Sequence, residues 1–340
     1  MGVVVELNIV TEVPEKLYTC RVEELENILG GPTIIHLKGE KKEALFLSTL
    51  LHANETTSFD VLKKILIEYR EKQLPRDLII FIGNVFAAKK NQRHLTGQAD
   101  YNRIWEEGDL PENKMAMKVI SYAKEYELFA SIDIHNNTGK NPLYGCINSC
   151  GEEFLKLASH FGSHTVYFTE PHNVQSMAFS KFCTSITIEA GLPSIEPGIS
   201  ESFAFVKRIL HLEKLNYFEN RAQVDIYHTI ARIMVNPDAT IDFDDNKESQ
   251  HDISFIKNID ENNFDLMAKN SHLGFVKSLS HFKVVDNKGK VITNDFLKIV
   301  NVNELQSNRV FIPSMFTKNI EVLKSDCLGY IMEIIVPVIK

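Results

Sequence analysis

Up to about residue 220 the chain alternates between apolar runs of strand length and segments of helical period. "TIIHLKGEKKEALFLSTLL" (33–51) holds two apolar runs parted by "KGEKK", which predicts two strands around a turn. "TSFDVLKKILIEYREK" sets Phe59, Leu62, Ile65, Leu66 and Tyr69 at helical spacing, with Thr57 and Asp60 opening it like a capping box. "DLIIFIGN" reads as a buried central strand, "MAMKVISYAKEYE" as a helix, "LFASIDIH" as a strand, "EEFLKLASHF" as a helix and "SITIEAG" as a strand. That alternation predicts an α/β sheet covered on both faces. Beyond 220 the texture changes. "AQVDIYHTIARIMV" alternates partially, the polar "NPDATIDFDDNKESQHD" follows, and then come the short β-like pieces "HFKVV", "KVIT", "RVFIP" and "YIMEIIV". The expected organisation is a first domain over 1–220 and a smaller β-rich domain over 221–340, with no internal repeat.

Composition narrows the class without choosing a function. Of 340 residues 44% are hydrophobic and 24% charged, as in a globular protein. Net charge is −8 and no Lys/Arg cluster stands out, so neither a nucleic-acid nor a membrane partner is expected. "MGVVVELNIVTEVPEK" lacks a basic region and a long apolar core, so no signal peptide is expected, and Glu6 stands where a myristoylation signal carries Ser or Thr. No apolar run reaches the length of a membrane span. Five cysteines at loose spacing suit reduced thiols and a cytoplasmic location. Cys146 and Cys150 in "GCINSC" have no second pair to complete a metal site and are read as structural.

Chemistry concentrates at three expected strand ends, where α/β sheets place active sites. His52 and Glu55 follow an apolar run, His135 ends "ASIDIH", and Glu189 ends "SITIE". A zinc hydrolase needs three protein ligands and one open position, plus a carboxylate outside the ligand set to take a proton from water. His52, Glu55 and His135 suit the ligands and Glu189 the base. Taken singly, each has an ordinary explanation: H-x-x-E occurs by chance, and a His or Glu at a strand end usually makes a local hydrogen bond. His94, His160, His164 and His172 have no spacing that suggests a ligand, and Tyr144 and Tyr167 are given no role.

The stretch "GNVFAAKKNQRHLTGQADYNRIW" (83–105) turns the scattered residues into an ordered set. "HANE", "NVFA", Arg93, "DYNRIW", "DIHNNTG" and "IEAG" occur in that order. The set resembles the zinc carboxypeptidase family, in particular its succinylglutamate desuccinylase/aspartoacylase branch, over roughly residues 30–200 and more faintly in the tail. The resemblance implies a three-layer α/β/α zinc-carboxypeptidase-like domain with a mixed sheet, plus a smaller β-rich C-terminal domain. It implies one zinc per protomer on His52, Glu55 and His135, Glu189 as general base and Arg93 as the oxyanion's partner. Asn102 and Arg103 match the pair that holds a substrate carboxylate. Asp100 and Asp133 lie near motif residues and are candidates to orient the ligand imidazoles from behind.

Two features depart from the branch. Phe179 stands where an acyl-binding Arg is expected, and Phe316 in "IPSMFTK" stands where the β-rich domain supplies a Tyr. The implied function is a zinc-dependent amide hydrolase for a small substrate with a free carboxylate, a deacylase of N-acyl amino acids. A metallocarboxypeptidase acting on short peptides stays open as an alternative. So does a non-catalytic amino-acid or peptide-binding protein, although such a protein has no need of a base at Glu189. Oligomeric state cannot be inferred.

Overall fold

The apolar runs of the first part become the strands of one mixed sheet. The structure, a computed structural model, describes residues 5–218 and 225–335. It divides into two compact units: residues up to 136 together with 143–224, and residues 137–142 together with 225 onward. The expected boundary between 220 and 221 lies outside the described residues, as do the first four residues and the end of "YIMEIIV" at Val336.

In the first unit the strands are β1 Asn8–Val10, β2 Thr33–Leu37, β3 Gly39–Thr49, β4 Leu74–Ile82, β5 Leu128–His135, β6 Tyr144–Ile147, β7 His164–Tyr167 and β8 Ser185–Glu189. They lie in the order β1-β2-β4-β3-β5-β8-β6-β7. Strands β4, β3, β5 and β8 run parallel, while the β2/β4 and β6/β8 pairs are antiparallel. The helices are α1 Leu25–Leu29, α2 Thr57–Glu68, α3 Val85–Ala88, α4 Pro111–Ala123, α5 Glu152–Ala158, α6 Gln175–Phe179 and α7 Gly198–His211.

Alternation along each strand sorts the side chains between two cores. On one face Leu45, Leu47, Ile80, Ile132 and Ile186 pack with Phe59, Leu62 and Ile65 of α2 and with Phe205, Val206 and Ile209 of α7. On the other, Phe46, Ile79 and Phe81 pack with Met115, Ala116 and Val119 of α4 and with Phe179 of α6. The unit is a three-layer α/β/α structure. No helix among the described residues is long and apolar enough to cross a membrane.

The two strands expected around "KGEKK" do form, but not as neighbours. β4 lies between them, so the chain must cross it at Lys38-Gly39. A Cβ on Gly39 would sit 2.3 Å from the Arg76 carbonyl, which is why glycine stands at the crossing. Asp77 fixes the passage by accepting from Gly39 N at 2.8 Å and Lys38 Nζ at 3.0 Å. The neighbouring Arg76 is fully buried, stacked over Phe129 and donating to the carbonyls of Leu210, Leu212 and Glu43. It thereby satisfies the C-terminal end of α7.

The second unit is β-rich. β9 Asp225–Val235 pairs antiparallel with β13 Phe282–Asp286 and β17 Gly329–Ile335, and β17 pairs with β16 Ile312–Ser314. A separate sheet runs β10-β11-β12-β15-β14, from Ile241–Asp242, Ile253–Phe255, His272–Val276, Glu304–Ser307 and Leu297–Val300. "KVIT" does not form a strand: Val291 makes one isolated bridge to Val285, and Thr293 opens a short helix.

Candidate active site

The turn that carries His52 and Glu55 is built by β3 stopping at Thr49 before α2 can start. Leu50 takes φ 54°, and the Ser58 hydroxyl accepts from Leu50 N and donates to Glu55 O, both at 3.1 Å. Glu55 N closes the turn on His52 O at 3.1 Å, so the i, i+3 pair faces one direction. The expected capping box is absent. The α2 N-cap is Thr56, whose hydroxyl pairs with Ser194 Oγ instead of capping, and the Thr57 hydroxyl is occupied too, accepting from Asn136 Nδ2 and Ser194 N.

His135 is the last residue of β5 and Glu189 the last of β8, and the two are register partners on adjacent parallel strands. Their side chains therefore leave the same face of the sheet. His52 Nδ1 lies 2.7 Å from Glu55 Oε1, His135 Nδ1 2.8 Å from Glu55 Oε2, and the two Nδ1 atoms 3.1 Å apart. One donor atom from each of the three buried residues falls within 4.8 Å of the others, the one such group found among the described residues. The opposite ring nitrogens meet carboxylates: His52 Nε2 with Asp100 Oδ1 at 3.1 Å, and His135 Nε2 with Asp133 Oδ2 at 2.8 Å. A carboxylate behind Nε2 holds a proton there, so that Nδ1 is the nitrogen facing inward.

Charges follow this geometry. Burial alone would raise the Glu55 carboxyl, but the imidazoles of His52 and His135 outweigh it and hold it below the usual range. Asp100 behaves alike, with His52, Arg93 and Arg103 overcoming burial. Burial would lower His135, yet Asp133 and Glu55 raise it well above an ordinary imidazole. Glu189 goes the other way. Only 8% exposed, with no partner for Oε2, it is pushed up to about 7, chiefly by burial against the opposing pull of His135. Its charge in turn adds to burial in raising the Cys146 thiol. The backbone just beyond Glu189 is pressed by α7, where a Cβ on Gly198 would lie 1.9 Å from Ala190 O.

Arg93 presents Nε and Nη2 to Asp100 Oδ2 at 3.1 and 3.0 Å, with Nη1 3.8 Å from Glu55 Oε1. Asp100 Oδ1 also accepts from Asn102 N at 2.8 Å, so one carboxylate joins His52, Arg93 and the Asn102-Arg103 turn. The Asn102 side chain is engaged: its oxygen accepts from Gln175 N at 3.2 Å and Nδ2 lies 3.4 Å from His135 Nε2. Arg103 Nη1 donates to Asn102 O at 2.8 Å. Asn84, in "NVFA", caps α3 and exchanges amide hydrogen bonds with Gln98, tying down the loop that carries Arg93. A cavity of about 560 Å³ borders Asn54 and Thr56, the neighbours of Glu55.

Other residues singled out in the sequence bond or pack elsewhere. His160 Nε2 bonds Asn216 O, His94 Nδ1 meets Leu95 O, and His172 pairs with Glu170. Phe179 is sealed between Phe46, Trp105 and Phe182. Phe316 is buried in the second unit, its N–H given to Asn263 Oδ1. The sequence reading missed Thr57, Asn136 and Gln175 as members of the site's support. Asn136 directly follows a ligand candidate, which is the one signal that pointed to it.

Neither a protein-family model nor a curated protein sequence matches the chain. Solved structures do. A succinylglutamate desuccinylase/aspartoacylase from Rhodobacter sphaeroides superposes with TM-score 0.59 at 12% identity, covering 89% of each chain. Murine aminoacylase 3 gives TM-score 0.54 at 15% identity over 87% of this chain and 96% of that one. The succinylglutamate desuccinylase from Chromobacterium violaceum gives 0.51 at 16% identity over 81% and 88%. The fold is that of the succinylglutamate desuccinylase/aspartoacylase structures. A mixed-sheet α/β/α unit carrying the His-Glu-His group, followed by β-rich structure, is thus the architecture the motif order implied.

Proposed function

We propose that the chain is a zinc-dependent amide hydrolase, a deacylase that releases an amino acid from a small N-acyl amino acid. The observation that carries this reading is the convergence of His52 Nδ1, His135 Nδ1 and the Glu55 carboxylate next to a buried, unpartnered Glu189 oxygen. The donor set fits the metal: two imidazoles, each with Nε2 held by a carboxylate so that a metal would take Nδ1, and one carboxylate are a zinc hydrolase's ligands. A zinc ion held by these three residues supplies Lewis acidity at the scissile carbonyl and lowers the pKa of water.

The protein's own groups do the rest. Glu189 Oε2 accepts a proton from the attacking water and returns it to the leaving amine. Burial raises its pKa in the metal-free chain, which strengthens it as a base. Arg93, held through Nε and Nη2 by Asp100, brings a fixed positive charge to the oxyanion without reorganisation. Arg103 offers a planar fork to the substrate's free carboxylate, and Asn102 keeps that turn against Gln175. Names such as aminoacylase and desuccinylase, which belong to the structural neighbours, support deacylation here. With Phe179 sealed in the core, that position offers no cation to the acyl group, which favours an uncharged acyl chain. A cytoplasmic location accords with five free cysteines.

The test is the zinc-loaded protein incubated with N-acyl amino acids, their amides and short peptides, read by mass spectrometry. Amino-acid release from the acids is expected, with Arg103→Ala losing kcat/KM on acids but little on the matching amides. Zinc content unchanged in His135→Ala would refute the metal assignment. Hydrolysis confined to peptides would replace the deacylase by a carboxypeptidase.

A further inference from the structure

Glu55 has two oxygens and must present them in a set direction, although its only backbone constraint is a short turn. Oε1 faces His52. Oε2 receives, besides His135, the main-chain N–H of Asn136 at 2.9 Å. The aim of that N–H depends on how residue 136 is held.

It is held by its own side chain. Asn136 Nδ2 donates to Thr57 Oγ1 at 3.0 Å and to Gly191 O at 2.7 Å, while Oδ1 accepts from Thr57 N at 3.3 Å. Both amide hydrogens and the carbonyl are therefore used within the protein, and the residue is 5% exposed. A carboxamide so saturated has nothing left to offer a substrate. Thr57 is equally committed, since Oγ1 also accepts from Ser194 N at 2.9 Å. Three pieces of chain meet here: the turn carrying His52 and Glu55, the end of β5 carrying His135, and the loop that follows Glu189.

We propose that Asn136 and Thr57 are positioning residues, a clamp that aims the Asn136 N–H at Glu55 and locks the ligand turn to the loop behind Glu189. The proposal rests on the zinc reading of His52, Glu55 and His135. It assigns the Thr57 hydroxyl a role in metal affinity although it touches no metal ligand itself. Removing it lets residue 136 and Glu55 drift, and groups that orient metal ligands from behind typically account for about 10–100-fold in affinity.

The experiment uses the full chain and zinc itself as probe. Zinc affinity is measured by chelator competition for wild type, Thr57→Val, Thr57→Ser and Asn136→Ala. Unfolding temperatures of the metal-free proteins are recorded alongside, and visible spectra of the cobalt(II) forms report ligand geometry. Thr57→Val, close in volume and without the hydroxyl, is expected to bind zinc about 10–100-fold more weakly and to shift the cobalt bands. Thr57→Ser, which restores the acceptor, should bind like wild type, and Asn136→Ala should resemble Thr57→Val. A drop in unfolding temperature in Thr57→Val with unchanged zinc affinity and cobalt spectrum overturns the proposal, leaving a merely structural role. Equal weakening in Thr57→Val and Thr57→Ser overturns it too. If wild type takes up no zinc, the metal reading fails first and the clamp with it.

Discussion

Replacing Glu189 by Gln should make the metal-free protein more stable and the loaded enzyme nearly inert. Burial raises this carboxyl from 4.5 to about 7 in the folded chain. A group whose folded pKa lies above its unfolded one contributes stability below the unfolded value and loses it as pH rises through the folded one. The window for Glu189 therefore runs from about pH 4.5 to about pH 7. The shift corresponds to on the order of 3 kcal/mol once the group is ionised. Gln keeps the shape and removes the charge. In urea titrations of chelator-treated protein, Glu189→Gln should exceed wild type by about 3 kcal/mol at pH 8 and by about 1 kcal/mol or less at pH 5. Groups that do not feel the Glu189 charge contribute equally in both proteins and cancel, whereas His135 and Cys146, which feel it, modify the difference. The loaded variant should retain zinc and lose about 10²–10⁴-fold in kcat. The wild-type rate should fall at acid pH as Glu189 is protonated, with the midpoint drawn below about 7 by the bound cation. A stability difference that does not change with pH would show that Glu189 is solvated and not poised as a base. Loss of zinc in the variant would make it a ligand instead.

Asp100→Asn removes the carboxylate charge and one of the two oxygens that serve His52 Nε2 and two Arg93 nitrogens, so zinc affinity should fall by about 10–100-fold and kcat with it; chelator competition that finds unchanged affinity would refute the shared role. Because Asp133 and Glu55 raise His135 well above an ordinary imidazole, zinc uptake at neutral pH should release a proton, and affinity should decline as pH falls. Calorimetry in buffers of different ionisation enthalpy measures that release, and a buffer-independent heat would contradict it. Arg76→Met should destabilise the fold by about 2–5 kcal/mol by orphaning the carbonyls of Leu210, Leu212 and Glu43, while activity per folded molecule is unchanged; denaturation curves paired with active-site titration check both halves.

Sequence alone carried the sheet's centre and the residues of the His-Glu-His group. β4 writes itself as a continuous apolar run, while β5 and β8 set Ile132, Ile134, Ile186 and Ile188 between buried polar residues, with His135 and Glu189 marking two of the strand ends. α2 keeps a clean helical stripe. β6 and β7, at four residues each, are too short for a period to register. α7 does place Ser202, Phe205, Val206, Ile209 and Leu210 at helical spacing, and that stripe was passed over. The occupied Asn102 amide and the Thr57 hydroxyl could not be read at all, since both depend on partners more than seventy positions away in the chain.

The passage of the chain over β4 at Gly39 also sets an order of events in folding. β2 and β3 are joined by Lys38 alone, and both find their shared neighbour in a strand made later. Until then, "IIHL" and "EALF" flank "KGEKK" as a ready-made local hairpin, the same pairing the apolar pattern suggests. Closing it costs little loop entropy, whereas the native sheet needs β4 inserted between its arms. Such a hairpin would compete with the native sheet during folding, and Asp77, which bonds Lys38 and Gly39 across β4, stabilises only the inserted arrangement. Asp77→Asn should therefore slow refolding in stopped-flow measurements, and an unchanged rate would contradict this.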